Sequence, residues 1–287
     1  MPNSTASAVL LISSPDQKGL VARITDFVYH RNGNILHSDE HIDEDAGLFL
    51  MRIEWDLAGF ALARQEVRAA FEPLAREFSL NWELRFSDEV PRSAILVSKV
   101  EHCLYDILFR HRSGELRADF RVIISNHPDL RHLAEYFGIE FVVVPVSPEN
   151  KAAHEALLRE ELRRREIQFI VLARYMQILT PDFIAPYPNR IINIHHSFLP
   201  AFVGSQPYHQ AHRRGVKLIG ATSHYVTADL DAGPIIEQDV ARVSHRDSVE
   251  SLIRKGRDLE KVVLACAVRL HLENRVLVYG NKTVVFD

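Results

Sequence analysis

Cysteine is scarce in this chain. Cys103 and Cys266 are its only two and lie far apart, so neither a disulfide framework nor a CxxC metal site can be built from them. A reducing cytoplasm is therefore the expected location. Long hydrophobic runs are missing too: none approaches the roughly 20 residues of a membrane span. The opening stretch, Met1-Pro2-Asn3-Ser4-Thr5, has neither the basic segment nor the apolar core of a secretory leader. Excess positive charge is absent, with a formal net charge of -4, which argues against a nucleic-acid binder. The one basic run, Arg159 to Arg165, is interleaved with Glu160, Glu161 and Glu166 and reads as a solvated helix face. There is no HExxH motif. His209 and His212 stand one helical turn apart without further ligands, so no metal is expected.

What is present suits a soluble globular protein of two domains. Hydrophobic residues make up 47% and charged residues 25% of 287. In the first segment, Ala8 to Ser13 reads as an apolar strand. A turn at Pro15 to Leu20 leads into a helix with Leu20, Val21, Ile24, Phe27 and Val28 at helical spacing. Asn32-Gly33-Asn34 is expected to end that helix, with glycine taking the left-handed conformation. Strands follow at Ile35 to Ile42 and Leu48 to Trp55, joined by the polar connection Asp43 to Gly47. A helix from Leu62 to Phe78 and a strand from Ser79 to Phe86 complete a β-α-β-β-α-β order, the ferredoxin-like plan. Residues 1–88 are thus expected to form a small α+β domain. The polar, proline-containing stretch Ser87 to Arg92 is the expected seam.

Residues 93–287 alternate apolar strands with helices. Strands are expected near Ala94 to Ser98, Phe120 to Ser125, Phe141 to Val144, Phe169 to Ala173, Arg190 to Ile194 and Lys217 to Val226. Helices are expected at Cys103 to Arg112, Leu130 to Phe137, Lys151 to Glu166 and Ser248 to Leu272. That pattern predicts an α/β fold with a mostly parallel sheet covered on both faces, and ligands held outside the carboxyl ends of its strands.

At one such end stands Asn193-Ile194-His195-His196-Ser197. Alternate residues of a strand share a face, so Asn193 and His195 can point into one cleft. Taken alone, the pair could equally be satisfied polar groups in a turn. A second block, Gly220 to Thr227, reads as a strand closed by the loop Ala228-Asp229-Leu230-Asp231-Ala232-Gly233-Pro234. An amide, an imidazole and a carboxylate together suit formyl chemistry: the first two hold a developing oxyanion and the last moves protons.

On these two blocks the second segment resembles the folate-dependent formyltransferase family, over about 190 residues. The resemblance implies a Rossmann-like domain and a catalytic trio of Asn193, His195 and Asp231, with His224 beside them. It also implies that Leu172-Ala173-Arg174-Tyr175-Met176-Gln177-Ile178-Leu179 lines a pteridine pocket, with Leu172, Arg174, Tyr175, Met176, Ile178 and Thr227 binding the folate. The first segment resembles ACT domains, through Asp16-Gln17-Lys18-Gly19-Leu20-Val21, the Gly33-Asn34-Ile35 turn and Phe49 to Ile53. That resemblance implies a regulatory module with a possible amino-acid effector and a homo-oligomer paired through sheet edges. A purely structural dimerisation module fits the same residues.

Relatives that formylate glycinamide ribonucleotide carry a Gly-rich phosphate loop after the first strand of this domain. Here Ser98-Lys99-Val100-Glu101-His102-Cys103-Leu104 contains no glycine, and Glu101 would repel a phosphate. The combination is similar to the deformylase branch of the family. It implies hydrolysis of 10-formyltetrahydrofolate to tetrahydrofolate and formate, without a cofactor, in support of purine synthesis and one-carbon balance. In that reading Asn193 and protonated His195 stabilise the oxyanion, and Asp231 orients His195. Ser205-Gln206 varies within an otherwise matching stretch. Two other functions compete: transfer to an amine acceptor such as glycinamide ribonucleotide, and a non-catalytic folate or amino-acid sensor.

Overall fold

The computed structural model describes residues 6–147, 149–200 and 207–286. Ser205-Gln206 lies outside the described residues. The chain divides into two compact units: Met1–Glu89 together with Glu273–Asp287, and Val90–Leu272.

The first unit runs β1 (Ser7–Pro15), α1 (Leu20–Tyr29), β2 (Asn34–Asp43), β3 (Leu48–Asp56), α2 (Arg64–Glu77) and β4 (Asn81–Phe86). The strands form an antiparallel sheet in the order β2-β3-β1-β4, as the ferredoxin-like plan requires. Alternation along β1 turns Ala8, Leu10 and Ile12 toward the helices, where they meet Ile24, Phe27 and Phe71. One local expectation changes. Asn32, not Gly33, takes the left-handed conformation after α1, with φ 59°. Gly33 is needed for space instead: a Cβ there would lie 2.5 Å from Val28 Cγ1.

The second unit continues with β5 (Arg92–Val97), α3 (His102–Arg112), β6 (Asp119–Ser125), α4 (Arg131–Phe137), β7 (Glu140–Val143), α5 (Lys151–Arg164), β8 (Phe169–Leu172) and the short α6 (Pro181–Ile184). Then come β9 (Ile191–His195), α7 (Pro207–Arg214), β10 (Leu218–Tyr225), β11 (Ile235–Arg242) and α8 (Val249–Leu272). Their strands make one sheet, β11-β10-β9-β8-β5-β6-β7. Only β10 runs against its neighbours; the other pairs are parallel, as expected. Every residue of Ala94 to Val97 is buried, the mark of a strand covered on both faces. Leu158, Leu162 and Phe183 from α5 and α6 cover one face, and α8 lies against β9, β10 and β11.

The sequence reading placed 93–287 in one catalytic domain, and the structure divides it differently. The end of the chain forms β12 (Val276–Tyr279) and β13 (Lys282–Val285), a hairpin belonging to the first unit. Leu277 and Phe286 are buried there with Leu11 and Leu50, which covers the sheet face turned away from α1 and α2. Two buried charges fasten it. Arg52 donates to the carbonyl of Asn274 at 2.9 Å, and Asp43 pairs with Lys282 at 3.0 Å.

Candidate active site

Strand order sets the position of the site. The chain winds outward from β5 to β7 on one side and from β8 to β10 on the other, so a crevice opens between the carboxyl ends of β5 and β8. Ser98 follows β5 and Arg174 follows β8. Their loops are tied together: Met176 N–H donates to Ser98 Oγ at 3.0 Å, and Ser98 N–H to the Arg174 carbonyl at 3.3 Å. A cavity of about 570 Å³ opens here, and all ten expected site residues border it.

Asn193 and His195 stand two apart on β9, both facing the cavity. Antiparallel pairing sets His224 opposite Asn193 and Thr222 opposite His195. The cross-strand neighbours meet: Asn193 Nδ2 lies 3.3 Å from His224 Nε2. His224 Nδ1 is 2.9 Å from the Tyr225 carbonyl, which can only accept, so Nδ1 carries the proton. In the neutral ring Nε2 is then the acceptor for the Asn193 amide. This chain of hydrogen bonds fixes which way the amide points.

Asp231 closes the arrangement from the loop after β10. Its backbone is left-handed at φ 53°, an uncommon conformation that aims the carboxylate back at β9. One oxygen lies 3.2 Å from His195 Nδ1 and the other 3.7 Å from His224 Nε2. Hydrogen bonding with His195, and next the nearness of His224, hold this carboxyl well below the usual range, against the opposing effect of burial. Gly233 lets the loop return so closely: a Cβ there would lie 1.9 Å from the Tyr225 carbonyl oxygen that anchors His224. With Nδ1 facing Asp231, His195 Nε2 is buried and has no hydrogen-bond partner among the described residues. A buried polar atom facing a cavity is where a ligand atom is expected.

The folate-binding expectations divide. Met176 and Ile178 are largely exposed on the cavity wall, apolar surface suited to a flat heterocycle. Leu172 and Thr227 border the same space. Tyr175 turns its ring into the core, and its hydroxyl meets His154 Nε2 at 2.7 Å, so its hydroxyl is spent on the scaffold. Arg174 points its guanidinium at His196 Nδ1 and at Glu260, 3.4 Å away.

Sequence reasoning missed the polar cluster behind this wall. Glu260 on α8 is buried and bound by His102 Nε2 at 2.8 Å and Tyr208 Oη at 2.6 Å. Its signal was available: Leu252, Gly256, Glu260, Val263 and Leu264 fall on the buried side of α8, and one of them is a carboxylate. His102, Cys103 and Glu260 offer three donor atoms within 4.8 Å of one another. They suit a cation poorly. Glu260 is already committed to two hydrogen bonds and faces the Arg174 charge, while burial pushes the Cys103 thiol well up and keeps it protonated.

Comparison with known proteins agrees with this geometry. Residues 91–268 match the formyl transferase family. Over 286 residues the chain is 59% identical to the formyltetrahydrofolate deformylase of Synechocystis sp., covering all of both chains. The crystal structure of a formyltetrahydrofolate deformylase from Pseudomonas syringae pv. tomato superposes with a TM-score of 0.97 at 49% identity, over 100% of this chain and 96% of that one. A glycinamide ribonucleotide transformylase from Symbiobacterium toebii matches at 33% identity and a TM-score of 0.66, over 71% of this chain and 98% of that one. The deformylases thus span the whole chain, whereas the transformylase leaves more than a quarter of it uncovered. This chain belongs to the formyltetrahydrofolate deformylases, hydrolytic enzymes built on the formyl transferase fold.

Proposed function

We propose that this enzyme hydrolyses 10-formyltetrahydrofolate to tetrahydrofolate and formate, with Asn193, His195 and Asp231 as its catalytic residues. The observation that carries the roles is the unpartnered His195 Nε2, buried at the cavity beside the oriented Asn193 amide. The folate lies along Met176 and Ile178, and its formyl carbonyl oxygen lies between Asn193 Nδ2 and His195 Nε2. Water adds to the formyl carbon and gives up one proton to solvent, from which His195 is recharged after each turnover. The resulting oxyanion accepts hydrogen bonds from the Asn193 amide and from Nε2–H of protonated His195. Asp231, ionised throughout, holds the imidazole in place and offsets its positive charge. The intermediate collapses as N10 leaves with a proton that His195 delivers, and formate departs.

The same reading extends to physiology. The first unit serves as an ACT-like module that binds an amino-acid effector and pairs with a second copy through an exposed sheet edge. Strand β2 is such an edge, with Leu36 and Ile42 exposed along it. The formate feeds purine synthesis and the reaction balances folate pools in the cytoplasm. No helix among the described residues is long and apolar enough to cross a membrane. The test is incubation with 10-formyltetrahydrofolate alone. Formate release is expected without any amine. Tetrahydrofolate formed only after glycinamide ribonucleotide is added, with the formyl group on the amine and no formate, would make the enzyme a transferase, and folate binding without turnover would make it a sensor.

A further inference from the structure

The wall behind His195 is built from charges that the reaction above does not use. His196 follows His195 at the end of β9, and their rings stack with centroids 5.2 Å apart at an interplanar angle of 21°. Arg174 donates to His196 Nδ1, so that nitrogen presents a lone pair and the ring is uncharged. Burial, and next the Arg174 charge, push His196 down to about 4. Arg174 itself sits at φ 62°, a left-handed turn that swings its side chain behind the strand ends. Its counter-charge is Glu260, whose side chain is 1% exposed and which lies 3.4 Å from Arg174 Nε.

Three other elements converge on that carboxylate of α8. His102 comes from the start of α3, Arg174 from the loop after β8 and Tyr208 from α7. Burial opposes ionisation of Glu260. The His102 hydrogen bond and the Arg174 charge outweigh it and hold the carboxyl below its usual range. A buried guanidinium without this partner would be strongly unfavourable, and it would reach for another acceptor.

We infer that Glu260 is a positioning residue for the hydrolysis, acting through Arg174 and His196 on the plane of the His195 ring. It anchors Arg174, Arg174 holds His196 neutral and fixed, and His196 is the flat surface against which His195 lies. The arrangement also keeps a second positive charge away from His195 when that ring is protonated in the reaction. The inference rests on the proposed hydrolytic role of His195. Formate release by the unaltered enzyme tests that role first, and the variant ratios below test Glu260 separately.

The experiment is a double-mutant cycle in the full-length chain, with kcat and KM for 10-formyltetrahydrofolate and a thermal melt for each variant. Glu260→Gln is expected to lower kcat about tenfold to a hundredfold, the scale on which a displaced catalytic group loses rate. KM should stay within about threefold, because the folate wall is untouched. Arg174→Met should lose a similar factor. The double variant should lose no more than Arg174→Met alone, since both act along one line. Tyr208→Phe removes a hydrogen bond from Glu260 but leaves the ion pair, and should keep kcat within about threefold. A folded Glu260→Gln enzyme with native kcat would overturn the inference. So would losses that multiply in the double variant, or a Tyr208→Phe loss as large as that of Glu260→Gln. If Glu260→Gln does not fold, Arg174→Lys takes its place. It keeps the charge but cannot bridge Glu260 and His196 as the planar fork does, and native kcat in that variant would equally overturn the inference.

Discussion

In the first unit the buried charged side chains are Asp43 and Arg52, and both are tied to the C-terminal hairpin segment. Among the described residues of the second, the buried acidic and imidazole side chains are His154, Glu155, His195, His224 and Glu260, and three of these border one cavity. Arg52 has partners on several sides: Glu54 at 2.7 Å, the Asn274 carbonyl at 2.9 Å and the Glu273 carbonyl at 3.4 Å. His195 has Asp231 on one nitrogen and no hydrogen-bond partner among the described residues on the other. A fully partnered buried charge is a fastening, whereas one with a free atom facing a cavity is available for chemistry.

Substitutions in the two units should therefore fail in different ways. The largest effect is expected for Asp231→Asn. The amide cannot offset a charged imidazole, and kcat should fall by up to about 10⁴-fold, the loss expected when the carboxylate partner of a catalytic imidazole becomes an amide. Steady-state kinetics at fixed pH checks this, and a loss confined to KM would remove Asp231 from the chemistry. Asn193→Ala comes next, at about 10²–10³ in kcat with folate binding kept, as for one oxyanion donor. Near-native turnover in that variant would assign the oxyanion to His195 alone.

In the first unit the expected loss is of stability. Phe286 is 1% exposed, and its truncation to alanine should cost about 3–5 kcal/mol through the cavity left under the hairpin. In whatever fraction stays folded, kcat should change by no more than about twofold, because Phe286 packs in the core of the other unit. Urea melts paired with kinetics separate the two effects, and a large fall in kcat of the folded enzyme would break the comparison.

The smallest effect is a pH dependence of the hairpin's attachment. The Ala46 backbone N–H, then Lys282 and Tyr279, hold the Asp43 carboxyl down at about 2. Its contribution is therefore complete above the ordinary carboxylate pKa of about 3.9 and is lost as the pH falls through about 2. Denaturation midpoints measured down this range should lose part of their slope in Asp43→Asn. An unchanged slope would show that other carboxylates set the acid sensitivity.

Much of this was legible in the sequence for stated reasons. Fully apolar strands such as Ala94 to Val97 announce a two-sided sheet, and the two-residue spacing of Asn193 and His195 puts them on one face. Strand β11 was not legible. Its alternation is broken by Glu237, Gln238 and Asp239, and it is held mainly by its ladder with β10. The C-terminal hairpin was assigned to the wrong unit because its partners Leu11 and Leu50 are more than two hundred residues away, a distance no local pattern spans. Tyr175 borders the cavity as its place in the motif implies, but only the contact with His154 reveals that its hydroxyl is already engaged. Glu260 was passed over because a glutamate in a charged helix is ordinary, and its burial depends on three other elements.

The most direct measurement of the central claim is a single turnover of 10-formyltetrahydrofolate, with no amine present, in water enriched in heavy oxygen. Hydrolysis at the Asn193–His195–Asp231 site predicts formate and tetrahydrofolate in equal amounts, with one solvent oxygen in each formate. Absence of formate, with tetrahydrofolate appearing only when an amine is supplied to take the formyl group, or formate carrying no solvent oxygen, would contradict the account.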